Sequence, residues 1–97
     1  MRDVFGIAAF RSRQQVLRFE DALRREGIPS GVMTTPRAVA LGCGLSVRFA
    51  PENAQAVAEA LRAPQQGNLI GFYLVTRDEH GHISCERLGT QPGLHGG

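Results

Sequence analysis

Lysine and tryptophan are absent from these 97 residues, tyrosine occurs once and cysteine twice. With no tryptophan and a single tyrosine, there is little from which to build a stacking platform for bases. All eleven basic side chains are arginines, spread from Arg2 to Arg87 rather than gathered in a stripe, and the net charge is only +2. Nucleic acid is therefore not an expected partner. The longest apolar runs, residues 4–10 and 69–75, have seven residues each, against about 20 for a bilayer-spanning helix. No membrane span is expected. The first residues also lack an extended hydrophobic region with a small-residue cleavage site, so the chain reads as cytoplasmic. In that reducing compartment two cysteines are expected to remain thiols.

What is present is enough apolar content, 42%, for one compact core. Residues 4–10 form a continuous apolar run of strand length, suited to a central strand. Ser12 and Gln15 have capping-box spacing. Val16, Phe19 and Leu23, supported by Ala22, then mark one face of a helix over 12–26, with Arg18, Glu20, Asp21 and Arg25 turned elsewhere. Arg24 and Arg25 suit its C-terminal end, and Gly27 supplies a left-handed stop. Residues 29–35 predict a short strand closed by Pro36. Leu45, Val47 and Phe49 alternate with Ser46 and Arg48, predicting a third strand. Pro51 opens a second helix with Ala54, Val57 and Leu61 inward, ended by Pro64. After a polar connection over 65–68, residues 69–76 predict a fourth strand.

This βαββαβ order predicts an α+β sandwich of the ferredoxin-like kind, an antiparallel sheet with two helices on one face. Residues 78–81 then form a turn, and 82–88 return as an extra C-terminal edge strand. The expected domain is 1–88, followed by a flexible tail over 89–97 with little to bury.

The connection between the second and third strands is longer and chemically richer than a plain hairpin needs. Gly42 and Gly44 strip side-chain cover from both sides of Cys43 and permit positive φ, so a reaction partner can approach the sulfur closely. A reactive thiol also needs a cation or helix N-terminus to favour its thiolate. Arg37 on the connection and Arg48 on the next strand are both candidates.

Ile28-Pro29, Thr35-Pro36-Arg37, Cys43-Gly44, the strand Leu45-x-Val47-Arg48-Phe49 and Pro51-Glu52 opening a helix together resemble the selenium/sulfur (Se/S) carrier protein-like family. The resemblance covers about residues 3–75. It implies a carrier rather than a turnover enzyme, with Cys43 matching the family cysteine and holding sulfur or selenium as a persulfide or selenosulfide. Thr35, Pro36, Arg37, Gly42, Gly44 and Arg48 are then the supporting residues. A cysteine desulfurase or other chalcogen donor and an acceptor protein are the implied partners. No metal or organic cofactor is needed for such thiol exchange. Where family members commonly carry serines before Cys-Gly, this chain has Ala40-Leu41-Gly42.

A second reading is a ligand-binding or regulatory module that acts as a homo-oligomer, such as a homodimer formed through the sheet. His80, His82 and Cys85 include zinc-type ligands, but a fourth is missing and strand parity turns His82 and Cys85 to opposite sides. A redox enzyme would want a Cys-x-x-Cys pair, which is absent. The terminal Gly96-Gly97 resembles the end of ubiquitin-like sulfur carriers, whose fold begins with a hairpin, whereas here a helix follows the first strand.

Overall fold

A computed structural model describes residues 2–39, 44–61 and 69–88. It is an α+β fold: β1 (Asp3–Phe10), α1 (Arg13–Arg25), β2 (Ser30–Thr34), β3 (Leu45–Phe49), a 3-10 turn (Pro51–Asn53) running into α2 (Ala54–Ala60), β4 (Leu69–Arg77) and β5 (Ile83–Arg87). Pro64, the connection over 65–68 and the tail over 89–97 lie outside the described residues. The five strands form one antiparallel sheet in the order β2-β3-β1-β4-β5. At one end of it Leu45 stands opposite both Phe10 and Thr34. The end of β1, the end of β2 and the start of β3 are therefore side by side.

Strand parity divides the core into two layers. Ala8 and Phe10 of β1, Val47 and Phe49 of β3 and Phe72 of β4 share a cluster with Val16, Phe19 and Leu23 of α1 and Val57 and Ala60 of α2. Both helices thus lie on this face. The Phe10 and Phe19 rings meet at 5.4 Å and 59°, a tilted arrangement that aromatic quadrupoles favour.

The ends of α1 follow from local chemistry. Ser12 is extended and its Oγ accepts from the Gln15 N–H at 3.4 Å, which satisfies one of the orphan donors of the first turn. The reciprocal half of the capping box does not form, since the Gln15 Oε1 is buried without a partner among the described residues. Gly27 adopts φ +77° and its N–H donates to the Arg24 carbonyl, while Ile28 donates to Leu23, ending the helix as expected. Glu20 corrects the simple amphipathic reading, because it is buried rather than turned to solvent. One nitrogen of Arg24, a turn later, donates to both of its carboxylate oxygens at 2.7 and 2.6 Å, so the charge enters the boundary already compensated. The second helix also departs from expectation: its Pro51 opens a 3-10 turn, and the α-helical hydrogen bonding begins only at Ala54.

The opposite face carries Phe5, Ile7 and Val75, all buried, with Met33, Val39, Tyr73 and Cys85 packed against them. Arg48 adds cover, its guanidinium carbon 3.9 Å from the centre of the Phe5 ring. Val39 belongs to no strand; it reaches this face from the β2–β3 connection, whose first turn is closed by a Val39 N–H to Pro36 carbonyl bond of 2.9 Å. The same connection is tied at its base. The Thr35 N–H donates to the Gly44 carbonyl at 3.0 Å, extending the β2–β3 ladder, and the Thr35 and Ser46 hydroxyls are 2.7 Å apart and buried.

Gly6 is a steric requirement, since a Cβ there would overlap the Phe49 ring that lies across it from β3. Gly6→Ala should therefore cost about 1–3 kcal/mol from overpacking, read as a fall in thermal midpoint of at least several degrees, with Gly6→Ala/Phe49→Leu recovering part of it. Thr35→Val should cost a similar amount, about 1–3 kcal/mol, because it leaves the Ser46 hydroxyl buried and unpaired. In urea titrations, the double variant Thr35→Val/Ser46→Ala should be less destabilised than the sum of the two single changes.

Candidate functional site

The sheet end where β1 and β2 finish and β3 starts carries a cleft of about 490 Å³ lined by Arg11, Arg13, Thr34, Gly44 and Leu45. Its position follows from topology. The β1–α1 turn and the β2–β3 connection leave the sheet at the same end, so residues about thirty positions apart in sequence line one opening. Arg11 and Arg13 flank the helix cap Ser12, and both are exposed. The first turn of α1 contains no acidic residue, although its N-terminal dipole favours one. Among the described residues neither arginine has an ion-pair partner.

The supporting residues read from sequence divide into groups. Thr35 is buried beneath the connection, holding Ser46 and Gly44, while Pro36 is half-buried and accepts the turn bond from Val39. Arg37 is exposed at that turn. Gly44 lies in the cleft wall, but not for the expected backbone reason: positive φ occurs at Gly27 and Gly81, not at Gly44. A Cβ on Gly44 would meet Thr35 Oγ1 at 3.5 Å and the Phe10 carbonyl oxygen at 3.7 Å, which is ordinary contact. Glycine there leaves the cleft wall low. Gly42 and Cys43 lie outside the described residues.

Arg48 is four residues along β3 from Gly44, a separation of about 13 Å at the usual strand rise. It stacks on Phe5 and lies 3.4 Å from the Asp3 carboxylate, which also accepts from Arg77 at 2.9 Å. Asp3 thus links β3, β1 and β4 across the far end of the sheet. The structure does not bring Arg48 to the cleft that Gly44 lines. Arg11 and Arg13 were not singled out by residue spacing; the available signal was topological, an Arg-Ser-Arg turn leaving the first strand on the side to which the second strand also runs.

The histidines and the second cysteine sit at the β4–β5 hairpin. Asp78 organises the turn, its Oδ1 accepting from the His80 and His82 backbone N–H groups at 2.8 and 2.9 Å. Those bonds, that from His82 foremost, hold its carboxyl below the usual carboxylate range. Cys85 points to the other layer, paired across the ladder with Val75 and packed against the Phe5, Ile7 and Val75 cluster. Burial pushes its thiol up, away from the thiolate that reacts. In a Cys43→Ser variant at pH 8, Cys85 should be alkylated by iodoacetamide more slowly than a free thiol, and unfolding in urea should abolish the difference.

Comparison with known proteins agrees with the pattern of residues around the β2–β3 connection. Searches of curated proteins and of solved structures returned no match. A family model described as "Putative Se/S carrier protein-like" matches residues 5–68, a span running from β1 through both crossings of the sheet and including Thr35-Pro36-Arg37 and Cys43-Gly44. On that match, over well more than half its length, the chain belongs to the Se/S carrier protein-like family.

Proposed function

We propose that this protein carries sulfur or selenium on Cys43 as a persulfide or selenosulfide and passes it to an acceptor protein. The observation that carries the reading is the bond that joins Thr35, of the Thr35-Pro36-Arg37 motif, to Gly44, the second residue of the Cys43-Gly44 motif. Thr35 binds the Gly44 backbone next to a cleft lined by two arginines without ion-pair partners among the described residues. Cys43 immediately precedes Gly44 in the chain. Arginines beside a thiol favour the thiolate, and a low glycine wall favours approach by a bulky partner. The three residues before Cys43, Ala40-Leu41-Gly42, carry no hydroxyl that could bond the sulfur, which leaves cations as the means of favouring its thiolate in this reading.

The transfer is displacement at a sulfane sulfur. The Cys43 thiolate attacks the terminal sulfur of a donor persulfide, one S–S bond forms while the donor's breaks, and the donor cysteine leaves as thiolate. Attack by an acceptor nucleophile on the terminal atom then returns Cys43 as thiolate. Neither step consumes an external oxidant or reductant, and no metal or organic cofactor takes part. A cysteine desulfurase is the fitting donor for sulfur, and a cytoplasmic, reducing setting keeps the thiol available. No helix among the described residues is long and apolar enough to cross a membrane.

The ferredoxin-like frame belongs to the same reading. It is supported by the order β2-β3-β1-β4 with α1 and α2 packed on one face and β5 added at an edge, in a single domain over residues 1–88. In such a frame the β1–α1 turn and the β2–β3 connection share an end, which is what a site built from both requires.

Incubation with a cysteine desulfurase and cysteine, followed by mass spectrometry of the Cys43 peptide, should show a reducible addition of about 32 Da, or about 80 Da when selenocysteine is supplied. Cys43→Ser should carry none, and labelling of that variant equal to wild type overturns the carrier reading.

A further inference from the structure

β2 and β5 are the edges of the sheet, and they meet water differently. β5 ends in Glu86 and Arg87, charged side chains of the kind by which edge strands resist pairing. β2 has no such guard: residues 27–36 carry no charge, and Val32, at the middle of the strand, is 42% exposed. The free hydrogen-bonding groups of this edge follow from its ladder. The Thr35 N–H donates to the Gly44 carbonyl in register with the β2–β3 pairing, so Met33 and Gly31 also bond to β3, and the N–H and C=O groups of Ser30, Val32 and Thr34 point away from the sheet. Gly31 adds a hollow. Its φ is not positive and a Cβ on it would meet nothing within 4 Å, so neither the backbone nor packing within its own chain calls for glycine, which weakens a strand. Beside it Phe5, Pro29, Arg48 and Ala50 border an open space of about 330 Å³. Strand parity puts these side chains with Met33, on the face away from the helices.

We propose that β2 is an interface at which two copies of this chain pair, edge to edge and antiparallel about a two-fold axis at Val32, joining their sheets into one. The stretch that can pair is bounded by Pro29 and Pro36, which match its ends in the two copies. With Val32 opposite Val32 of the second copy, Ser30 stands opposite Thr34 and Gly31 opposite Met33. Each outward-facing residue then exchanges backbone bonds with another outward-facing residue. On the face away from the helices, Met33 of one copy enters the space over Gly31 of the other. On the helix face the Val32 side chains cover each other. Ser30, whose Oγ is buried without a partner among the described residues, meets the Thr34 hydroxyl there, a cross-strand pair that hydrogen-bonds. Charge is complementary as well. Continued past the strand ends, the register sets Arg37 opposite Gly27 and so beside Glu26 of the second copy, and the axis repeats the contact. Arg37 and Glu26 are exposed, and neither has an ion pair among the described residues. Glu26 also stands at the negative, C-terminal end of α1, which favours an arriving guanidinium. A ladder of 5 residues from each copy is small for a stable interface. Since α1 packs over β2 and β3, its counterpart flanks the axis on the same face and adds area. No part of this pairing involves thiol chemistry, so it stands or falls apart from the carrier reading.

Sedimentation velocity of the full chain between about 10 μM and about 1 mM should show a concentration-dependent shift to twice the monomer mass of 10.5 kDa. Over the same range the Ser30, Val32 and Thr34 amides should gain about tenfold or more protection from hydrogen exchange. The Cys85 and Arg87 amides, which face outward on β5, should gain none. Val32→Lys, which sets like charges at the axis, and Gly31→Leu, which fills the hollow without a clash in its own chain, should each weaken association by about tenfold or more. Arg37→Glu alone and Glu26→Arg alone should weaken it by about threefold, and the two together should restore it, a rescue that damage to the fold does not give. A mass that stays monomeric at about 1 mM overturns the proposal and leaves the edge to an extended segment of a different protein. A dimer whose β2 amides remain unprotected, or one that the charge swap does not restore, overturns this interface and register. Protection of those amides at monomeric mass, independent of concentration, assigns the edge to another segment of the same chain and overturns the proposal equally.

Discussion

Burial of β1 on both faces, with helices available for only one, is the constraint that organises this protein. Residues 5–10 are all buried, and the helices account for Ala8 and Phe10. Phe5 and Ile7 would otherwise lie open to water at a cost of about 1.5–3 kcal/mol for each large side chain. The remedy is composite: Val39 from the β2–β3 connection, Tyr73 from β4, Cys85 from β5 and the Arg48 guanidinium on Phe5. A connection recruited as cover must be held at its base, and the buried Thr35–Ser46 hydroxyl pair with the Thr35–Gly44 backbone bond does so. The length of the connection and its role near the cleft thus have one physical origin.

That arrangement also explains why two groups of arginines differ in what they can do. Arg24, Arg25, Arg48 and Arg77 are committed to carboxylates or to the Phe5 ring. They complete the surface of the core and hold strands in place. Arg11 and Arg13 sit where the strands end, beside backbone rather than acids. Other arginines among the described residues, such as Arg18 and Arg37, also lack carboxylate partners; what sets Arg11 and Arg13 apart is that they line the cleft beside Gly44.

Much of the fold was legible because its signals are local and periodic. The third strand, Leu45–Phe49, has the bounds that alternation alone implied, and Ser12 and Gly27 bracket α1 where cap chemistry put them. The β5 edge strand likewise follows from a turn signal and a short run beyond it. What was not legible depends on contacts distant in sequence. Glu20 is buried because Arg24 compensates it at a boundary whose depth no helical period reveals. The use of Val39 as cover depends on a face left open by the helices. Around the candidate cleft, Thr35, Pro36 and Gly44 were singled out by motif, whereas Arg11 and Arg13 became visible only once strand order placed the β1–α1 turn beside Gly44. Of the two uses expected of glycine at position 44, the space left by a missing side chain is seen and the positive φ is not.

The tie between Thr35 and Gly44 has a consequence for how this protein can change over evolutionary time. Eight residues separate the two, and the closure entropy of such a segment is set by its fixed ends and varies only slowly with length. Substitutions, insertions or deletions between those ends leave the ladder below them intact, provided one apolar side chain still reaches Phe5 and Ile7. The fold therefore places few demands on the residues of this segment, and a persistence of Pro36, Arg37 and Cys43 within it would speak for function rather than for stability.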